Sequence, residues 1–254
     1  MTALVTGASA GIGEACARAL AARNYSLVLA ARRVDRLEKL AEELRTLHGV
    51  SVTAVALDVT DRAQAESLLE RAGNPVVDVL VNNAGLARGL EPLPENNPDD
   101  WDEMIDANVK GVLWVTRPVV RQMIARQAQG PTPTHIVNLG SLAGVAAYPN
   151  GAVYCATKAA VKALSDGLRQ DVNQYPIRVT LIQPGMVETE FSQVRFRGDE
   201  GRAKAVYRGI DPLTAADIAD LVVYAVTAPL RVQITELTVT ATHQANAFTV
   251  FRKP

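Results

Sequence analysis

The chain has 254 residues, 48% of them hydrophobic and 21% charged, and a formal net charge of −1. This is the make-up of an ordinary globular chain, long enough to bury a large core without disulfide or metal staples, and one domain over residues 1–254 is expected. The near-neutral balance, with no basic run, speaks against a nucleic-acid or anionic-membrane surface.

Short apolar runs alternate with longer segments of helical period. Strands are expected at Ala3–Thr6, Ser26–Ala31, Ser51–Leu57, Val76–Val81, His135–Leu139 and Arg178–Ile182, with a weaker one at Leu237–Val239. Between them the pattern predicts helices over 12–23 and Val34–His48, the latter with Leu37, Leu40, Ala41 and Leu44 on one face, and over 99–126, 152–174 and 214–227. The Pro/Gly-rich piece at 130–133 reads as a surface loop. Strands that are apolar without alternation are expected where helices cover both faces of a parallel sheet. Repeated βα units therefore predict a single-domain, doubly wound α/β sheet of the Rossmann type. Strand-like residues from Ala3 leave no room for a leader, and no apolar run approaches the ~18 residues of a membrane span, so the cytoplasm is the expected location.

Four motifs carry chemistry. Thr6-Gly7-Ala8-Ser9-Ala10-Gly11-Ile12-Gly13 falls where a strand turns into a helix, and glycines there let the backbone approach a pyrophosphate held by the helix N-terminus. The end of the second strand reads Ala31-Arg32-Arg33, with alanine where an acid would hold the ribose hydroxyls of NAD. A guanidinium suits the 2′-phosphate of NADP, so NADP is the expected cofactor, although two arginines opening a helix can also be merely solvated. Asn82-Asn83-Ala84-Gly85 closes the fourth strand, as a plain turn also could. Finally, Tyr154 and Lys158 stand four apart on one helix face, with Ser141 thirteen residues before the tyrosine. A lysine cation favours phenolate and so makes tyrosine a usable acid and base near neutrality. Cys16, Cys155, His48, His135 and His243 lack metal-ligand spacing, and no metal is expected.

These residues together resemble the short-chain dehydrogenase/reductase family, which is matched in order and spacing at Thr6, Gly7, Gly11, Ile12, Gly13, Asp58, Asn82 to Gly85, Asn108, Ser141, Tyr154, Lys158, Pro184, Gly185 and Thr189. The resemblance implies that Tyr154 is the general acid in reduction and base in oxidation, that Lys158 bonds the nicotinamide ribose, and that Ser141 polarises the carbonyl. It implies that Asn108 holds a water linking Lys158 to solvent. Gly7, Ser9, Gly11, Ile12, Gly13, Arg32, Arg33, Asp58, Val59, Asn82, Ala84, Gly85, Pro184, Gly185, Val187 and Thr189 would bind cofactor, with Asp58 by the adenine, Asn82 on the adenosine side and Val187 and Thr189 at the carboxamide. A homotetramer is likewise implied, with the helices near 99–126 and 152–174 forming one interface.

A narrower resemblance, carried by residues 190–199, 142–144 and 154–158, is to serine 3-dehydrogenases and related 3-hydroxy acid dehydrogenases. It implies interconversion of a small 3-hydroxy acid, serine-like or 3-hydroxyisobutyrate-like, and its 3-oxo product with NADP. The chain departs from that pattern at Arg88, where an apolar residue is expected, and at Ala146, where a large aromatic is expected. The alternatives are a broader carbonyl or 3-oxoacyl-thioester reductase and a non-catalytic NADP-sensing regulator. Residues 186–210 follow the sixth strand, carry Gly198 and Gly201 as hinges, and read as a substrate lid. Within it Arg195 is the expected partner of a substrate carboxylate, beside Ser141 and Tyr154; Arg88, Arg197 and Arg202 are rivals, and pairing of Arg195 with Glu190 or Asp199 is the plain structural alternative.

Overall fold

In the computed structural model, which describes residues 1–130 and 132–253, the chain forms one sheet of seven parallel strands between two helical layers. β1 (Thr2–Thr6) lies near the middle, with β2 (Ser26–Ala31) and then β3 (Val52–Ala56) on one side. On the other side stand β4 (Val79–Asn82), β5 (Thr134–Leu139), β6 (Ile177–Pro184) and β7 (Glu236–Val239). The order β3-β2-β1-β4-β5-β6-β7 reverses direction between β1 and β4. In open α/β sheets, ligands bind beyond the carboxyl ends of the strands at such a reversal.

Neighbouring residues of each inner strand feed opposite layers, which is why these strands are apolar throughout. On one face Ala3, Val5, Leu27 and Leu29 pack against α1 (Gly11–Ala21), α2 (Val34–His48) and α10 (Ala215–Thr227). On the other, Leu4, Val28, Leu80 and Ile136 pack against α3 (Arg62–Glu66), α4 (Leu68–Arg71) and α6 (Gly111–Gln127). Local chemistry sets the helix ends. α2 buries Leu37, Leu40, Ala41 and Leu44 as one stripe and stops at Gly49, whose left-handed backbone (φ 66°) returns its N–H to Arg45 O. α10 begins in a capping box in which Thr214 and Asp217 satisfy each other's free backbone N–H groups.

The structure departs from sequence expectation in several places. β4 starts at Val79 rather than Val76, because Val76 is exposed and the Val77 N–H turns to the Gln122 side chain instead of a neighbouring strand. The helix expected over 99–126 is three pieces: α5 (Pro98–Ile105), a π-helical turn (Asp106–Lys110) and α6. The α3 and α4 turns after β3 were not expected. Residues 186–210 hold two helices, α8 (Phe191–Arg195) and α9 (Glu200–Tyr207), so Gly201 sits in a helical turn rather than a hinge. Gly198, between them, adopts φ 93°. α7 (Ala152–Asp171) completes the set. The loop expected at 130–133 includes Pro131, which lies outside the described residues. Among the described residues no helix is long and apolar enough to cross a membrane, and no cluster of His, Cys, Asp and Glu could hold a metal ion.

At the amino end of the sheet, Arg178 caps the last carbonyls of α10, donating to Val226 O and Ala228 O at 3.0 Å each. Beside it lies His135, fully buried. Thr180 gives its hydroxyl proton to Ile234 O (2.6 Å), so the His135 Nε2 that faces Thr180 Oγ1 at 2.7 Å must carry the hydrogen. Nδ1 is left a buried acceptor without a partner among the described residues. Burial, aided by the Arg178 charge, pushes the imidazolium pKa down to about 3 from 6.5. A group whose folded pKa is depressed in this way binds fewer protons in the native state than in the unfolded chain between those two values. Stability contributed by neutral His135 is therefore complete above the unfolded pKa and declines as pH falls below it. Urea unfolding should show the wild type losing about 2 kcal/mol more than His135→Gln between pH 7 and pH 5. Parallel losses in the two proteins would mean that His135 is not the group responsible.

Candidate active site

A cavity of about 690 Å³ opens at the carboxyl ends of the strands, over the reversal between β1 and β4. At one end the chain leaves β1 through Gly7 (φ 65°), where a Cβ would stand 2.8 Å from Asn83 Nδ2. α1 begins without a side-chain cap at Ala10, leaving the N–H groups of its first turn to a ligand. Gly13 lets that helix close on the turn, because a Cβ there would lie 2.3 Å from Gly7 O. The Thr6 hydroxyl accepts from Asn83 N and Ala84 N, both at 3.0 Å, and Asn83 Nδ2 donates to Thr6 O and Gly7 O. The two strand exits thus form one continuous wall.

Ala31, Arg32 and Arg33 border the same end. Arg32 is exposed and makes no ion pair among the described residues, whereas Arg33 donates to Ser9 Oγ (3.3 Å) and pairs with Glu190 (2.7 Å). Glu190 also holds Arg36 at 2.7 Å, so the approach to α8 is tied to the first turn of α2. The shape, the open helix N-terminus and the unpaired guanidinium together fit a dinucleotide with a phosphorylated ribose.

At the other end, α7 carries Tyr154 and Lys158 into the cavity, with Ser141 opposite on the exit from β5. Lys158 is buried, donates to Leu139 O at 2.9 Å and stands 5.9 Å from the centre of the Tyr154 ring. Burial lowers the pKa of its ammonium to about 8. Burial also holds the Tyr154 phenol well above its usual value, and Tyr148 adds to this; the Ser141 hydroxyl and the Arg195 guanidinium act in the opposite direction. The π-helical turn directs Asn108 inward, where it accepts from Leu86 N (2.8 Å) and donates to Leu86 O (2.8 Å) and Thr157 Oγ1 (3.0 Å). Asn108 therefore braces the β4 exit against α7, directly behind Lys158.

The α8–α9 segment covers this end, and the arginines on it and beside it are sorted by their partners. Arg88 pairs with Glu103 (2.6 Å) and donates to Val194 O; Arg197 pairs with Asp100 (2.5 Å) and Arg202 with Glu91 (3.0 Å). Arg195 pairs with neither Glu190 nor Asp199. Its Nε donates to Gly89 O (3.0 Å) and one terminal nitrogen to Tyr148 Oη (2.5 Å), and its guanidinium faces the rings of Tyr148 and Tyr154 at 5.6 and 5.4 Å. A guanidinium has five N–H donors, so three remain.

Of the residues expected to serve catalysis, cofactor or substrate, all line the cavity except Gly13, Asn82 and Asn108, and the rival arginines Arg88, Arg197 and Arg202 do not line it. Asn82 was expected on the adenosine side, but its amide is spent inside the sheet on Thr116 Oγ1 (2.8 Å) and Asn138 Oδ1 (2.9 Å). Asp58 lines the wall with one carboxylate oxygen held by Thr60. Tyr148, Phe191, Tyr207 and Gln244 also line it and were not anticipated. Tyr148 supplies an aromatic ring two residues beyond Ala146, where one was expected.

The family model for short chain dehydrogenases matches residues 1–200, and the chain belongs to that family. It is 40% identical to an NADP-dependent 3-hydroxy acid dehydrogenase of Schizosaccharomyces pombe, over 99% of this chain and 96% of that one. It is 42% identical to sulfoacetaldehyde reductase 2 of Chromohalobacter salexigens, over 98% of each. A structure of the closed form of serine dehydrogenase complexed with NADP+ superposes over the full length of both chains with a TM-score of 0.90 at 39% identity.

The unequal engagement of the two rim arginines yields a test. Arg32→Ala should weaken NADP(H) roughly ten- to hundredfold, the worth of about 1.5–3 kcal/mol for a charge-assisted phosphate contact, and leave NAD(H) unchanged. Equilibrium titration with both nucleotides measures this, and equal weakening of both would assign Arg32 to the fold of the rim.

Proposed function

We propose that this protein is an NADP-dependent oxidoreductase that interconverts a small 3-hydroxy acid and its 3-oxo product. The observation that carries the reading is Arg195, a cavity-lining guanidinium beside Tyr154 with no carboxylate partner among the described residues and three free donors. The rival arginines are all committed to Glu91, Asp100 or Glu103. A bidentate grip on a carboxylate is what such a group offers, and the names of the relatives agree with an anionic substrate.

NADP would lie along the groove with its pyrophosphate at the start of α1, its 2′-phosphate at Arg32 and its nicotinamide toward Lys158, Val187 and Thr189. When bound it supplies the hydride chemistry. The protein's own share is placement and the proton. Ser141 orients the carbonyl oxygen, and Tyr154 Oη delivers a proton to it in reduction or removes one from the hydroxyl in oxidation. Lys158, fixed by Leu139 O, contributes a positive charge that makes the phenol more acidic. Asn108 holds the backbone that frames them, and residues 186–210 act as the lid.

A cytoplasmic protein of four copies is part of the same proposal. Exposed Ile105 on α5 and Leu113 on α6 support an interface there, and light scattering tests it.

Tyr154→Phe should keep cofactor affinity and lose about 10²–10⁴-fold in turnover, since only the proton-moving hydroxyl is removed. More than about a tenth of wild-type activity would remove Tyr154 from this role. Arg195→Ala should raise KM for hydroxy acids at least tenfold, or about 1.4 kcal/mol, and spare a neutral aldehyde. A panel of serine, 3-hydroxyisobutyrate, sulfoacetaldehyde and an acetoacetyl thioester checks the substrate class. Preference for the thioester would favour the broader reductase, and no turnover of any substrate would favour a sensing role.

A further inference from the structure

We propose that Arg195 is also a positioning residue for the acid–base step, a second cation that sets the proton affinity of Tyr154 and loses that influence when an anionic substrate occupies it. The guanidinium centre lies 5.4 Å from the Tyr154 ring centre, inside the 5.9 Å separating that ring from Lys158 Nζ. It is held there from two sides, by Gly89 O at Nε and by Tyr148 Oη at a terminal nitrogen, so its position does not depend on a ligand. Tyr154 is buried, and in such surroundings a nearby charge acts with little attenuation.

Of the other groups facing the phenol, Tyr148 and Cys155 act against Arg195, and no carboxylate joins them. Its own helix presents the Cys155 thiol and the Lys158 ammonium. The segment after β5 presents the neutral Ser141 hydroxyl and the Tyr148 phenol, and α8 presents Arg195 with the uncharged Phe191 ring at 5.7 Å. Arg88 and Glu91, which border the far side of Tyr154, are neutralised by Glu103 and Arg202. No carboxylate stands between Arg195 and the ring among the described residues.

The consequence couples substrate charge to acid strength. With a neutral carbonyl bound, both cations favour phenolate, and Tyr154 surrenders its proton at lower pH. A substrate carboxylate gripped by Arg195 returns negative charge to the same place, so the phenol stays protonated to higher pH while such a substrate is reduced. This coupling rests on the reading of Arg195 as the substrate anchor, whereas the effect with neutral substrates does not.

The experiment is a set of pH profiles of carbonyl reduction under single-turnover conditions, using a 3-oxo acid and a neutral ketone of similar size. Wild type, Arg195→Gln and Arg195→Lys are compared, with NADPH affinity recorded to show an intact cavity. In the wild type the alkaline pKa should lie about half to one unit lower with the neutral ketone than with the acid. Arg195→Gln should move the neutral-ketone value up by that amount, to where the acid stands in the wild type, and Arg195→Lys should restore part of the shift. If Arg195→Gln raises KM for the acid but moves neither profile, the positioning role is overturned and the anchor stands. If it moves the neutral-ketone profile without changing KM for the acid, the positioning role stands and the anchor falls.

Discussion

The hydroxyl of Thr6 is the point on which the rest of the site depends. At the end of β1 it accepts the backbone N–H groups of Asn83 and Ala84, which leave β4 in the opposite direction of the sheet's winding. Left without an acceptor, each of those part-buried groups would cost about 1–3 kcal/mol. The same corner takes the Asn83 amide onto Thr6 O and Gly7 O, and Gly13 brings α1 against Gly7 O. One small side chain therefore ties the exits of β1 and β4 together at the edge of the cleft into which Tyr154 and Lys158 also open.

From that corner the bracing passes through the core to the other end of the cavity. The chain leaving β4 is gripped at Leu86 by Asn108, Asn108 reaches Thr157, and Thr157 bonds back to Tyr154 O. Lys158, on the next residue, is held by Leu139 O. Lys158 is thus oriented by the backbone of β5, whereas Tyr154 is tied in through its main-chain carbonyl and its phenol faces the Ser141 hydroxyl. Burying them works against each charged form, as their displaced proton affinities record. An arrangement that is costly without a ligand and useful with one is characteristic of pre-organised sites.

Much of this was legible in the residues. Apolar runs without alternation gave the parallel sheet, and the stripe Leu37, Leu40, Ala41, Leu44 gave α2, because burial on both faces or on one leaves a direct periodic trace. The π-helical turn was not legible, since one extra residue barely disturbs a period of about 3.6 over so long a stretch. The short helices α3, α4, α8 and α9 span too few residues to display any period. Asn82 shows a different limit: whether its amide faces a ligand or Thr116 depends on what α6 sets beside the strand. The same holds for the arginines. Arg197 meets Asp100, 97 positions away in the chain, and Arg202 meets Glu91 at 111 positions, so nothing local told them apart from Arg195. Tyr148 went unnoticed because it belongs to no motif, although it lies on the stretch joining Ser141 to Tyr154.

The cover over the cavity is fastened by a different kind of force from the one that builds the sheet. Glu190 with Arg33 and Arg36, Arg197 with Asp100, and Arg202 with Glu91 are half-exposed ion pairs that tie α8 and α9 to α2, α5 and the chain after β4. The sheet beneath is held by apolar contact. Mobile ions shield exposed charges over a Debye length of about 8 Å at physiological ionic strength and about 3 Å at 1 M, and they scarcely touch buried hydrocarbon. Ionic strength therefore bears on these ties more than on the sheet. Concentrated salt weakens the pairs that tie α8 and α9 down, and the buried Tyr154–Lys158 frame beneath is little affected. The fastening of this segment and the seating of the side chains below it thus answer to separate properties of the surrounding solution.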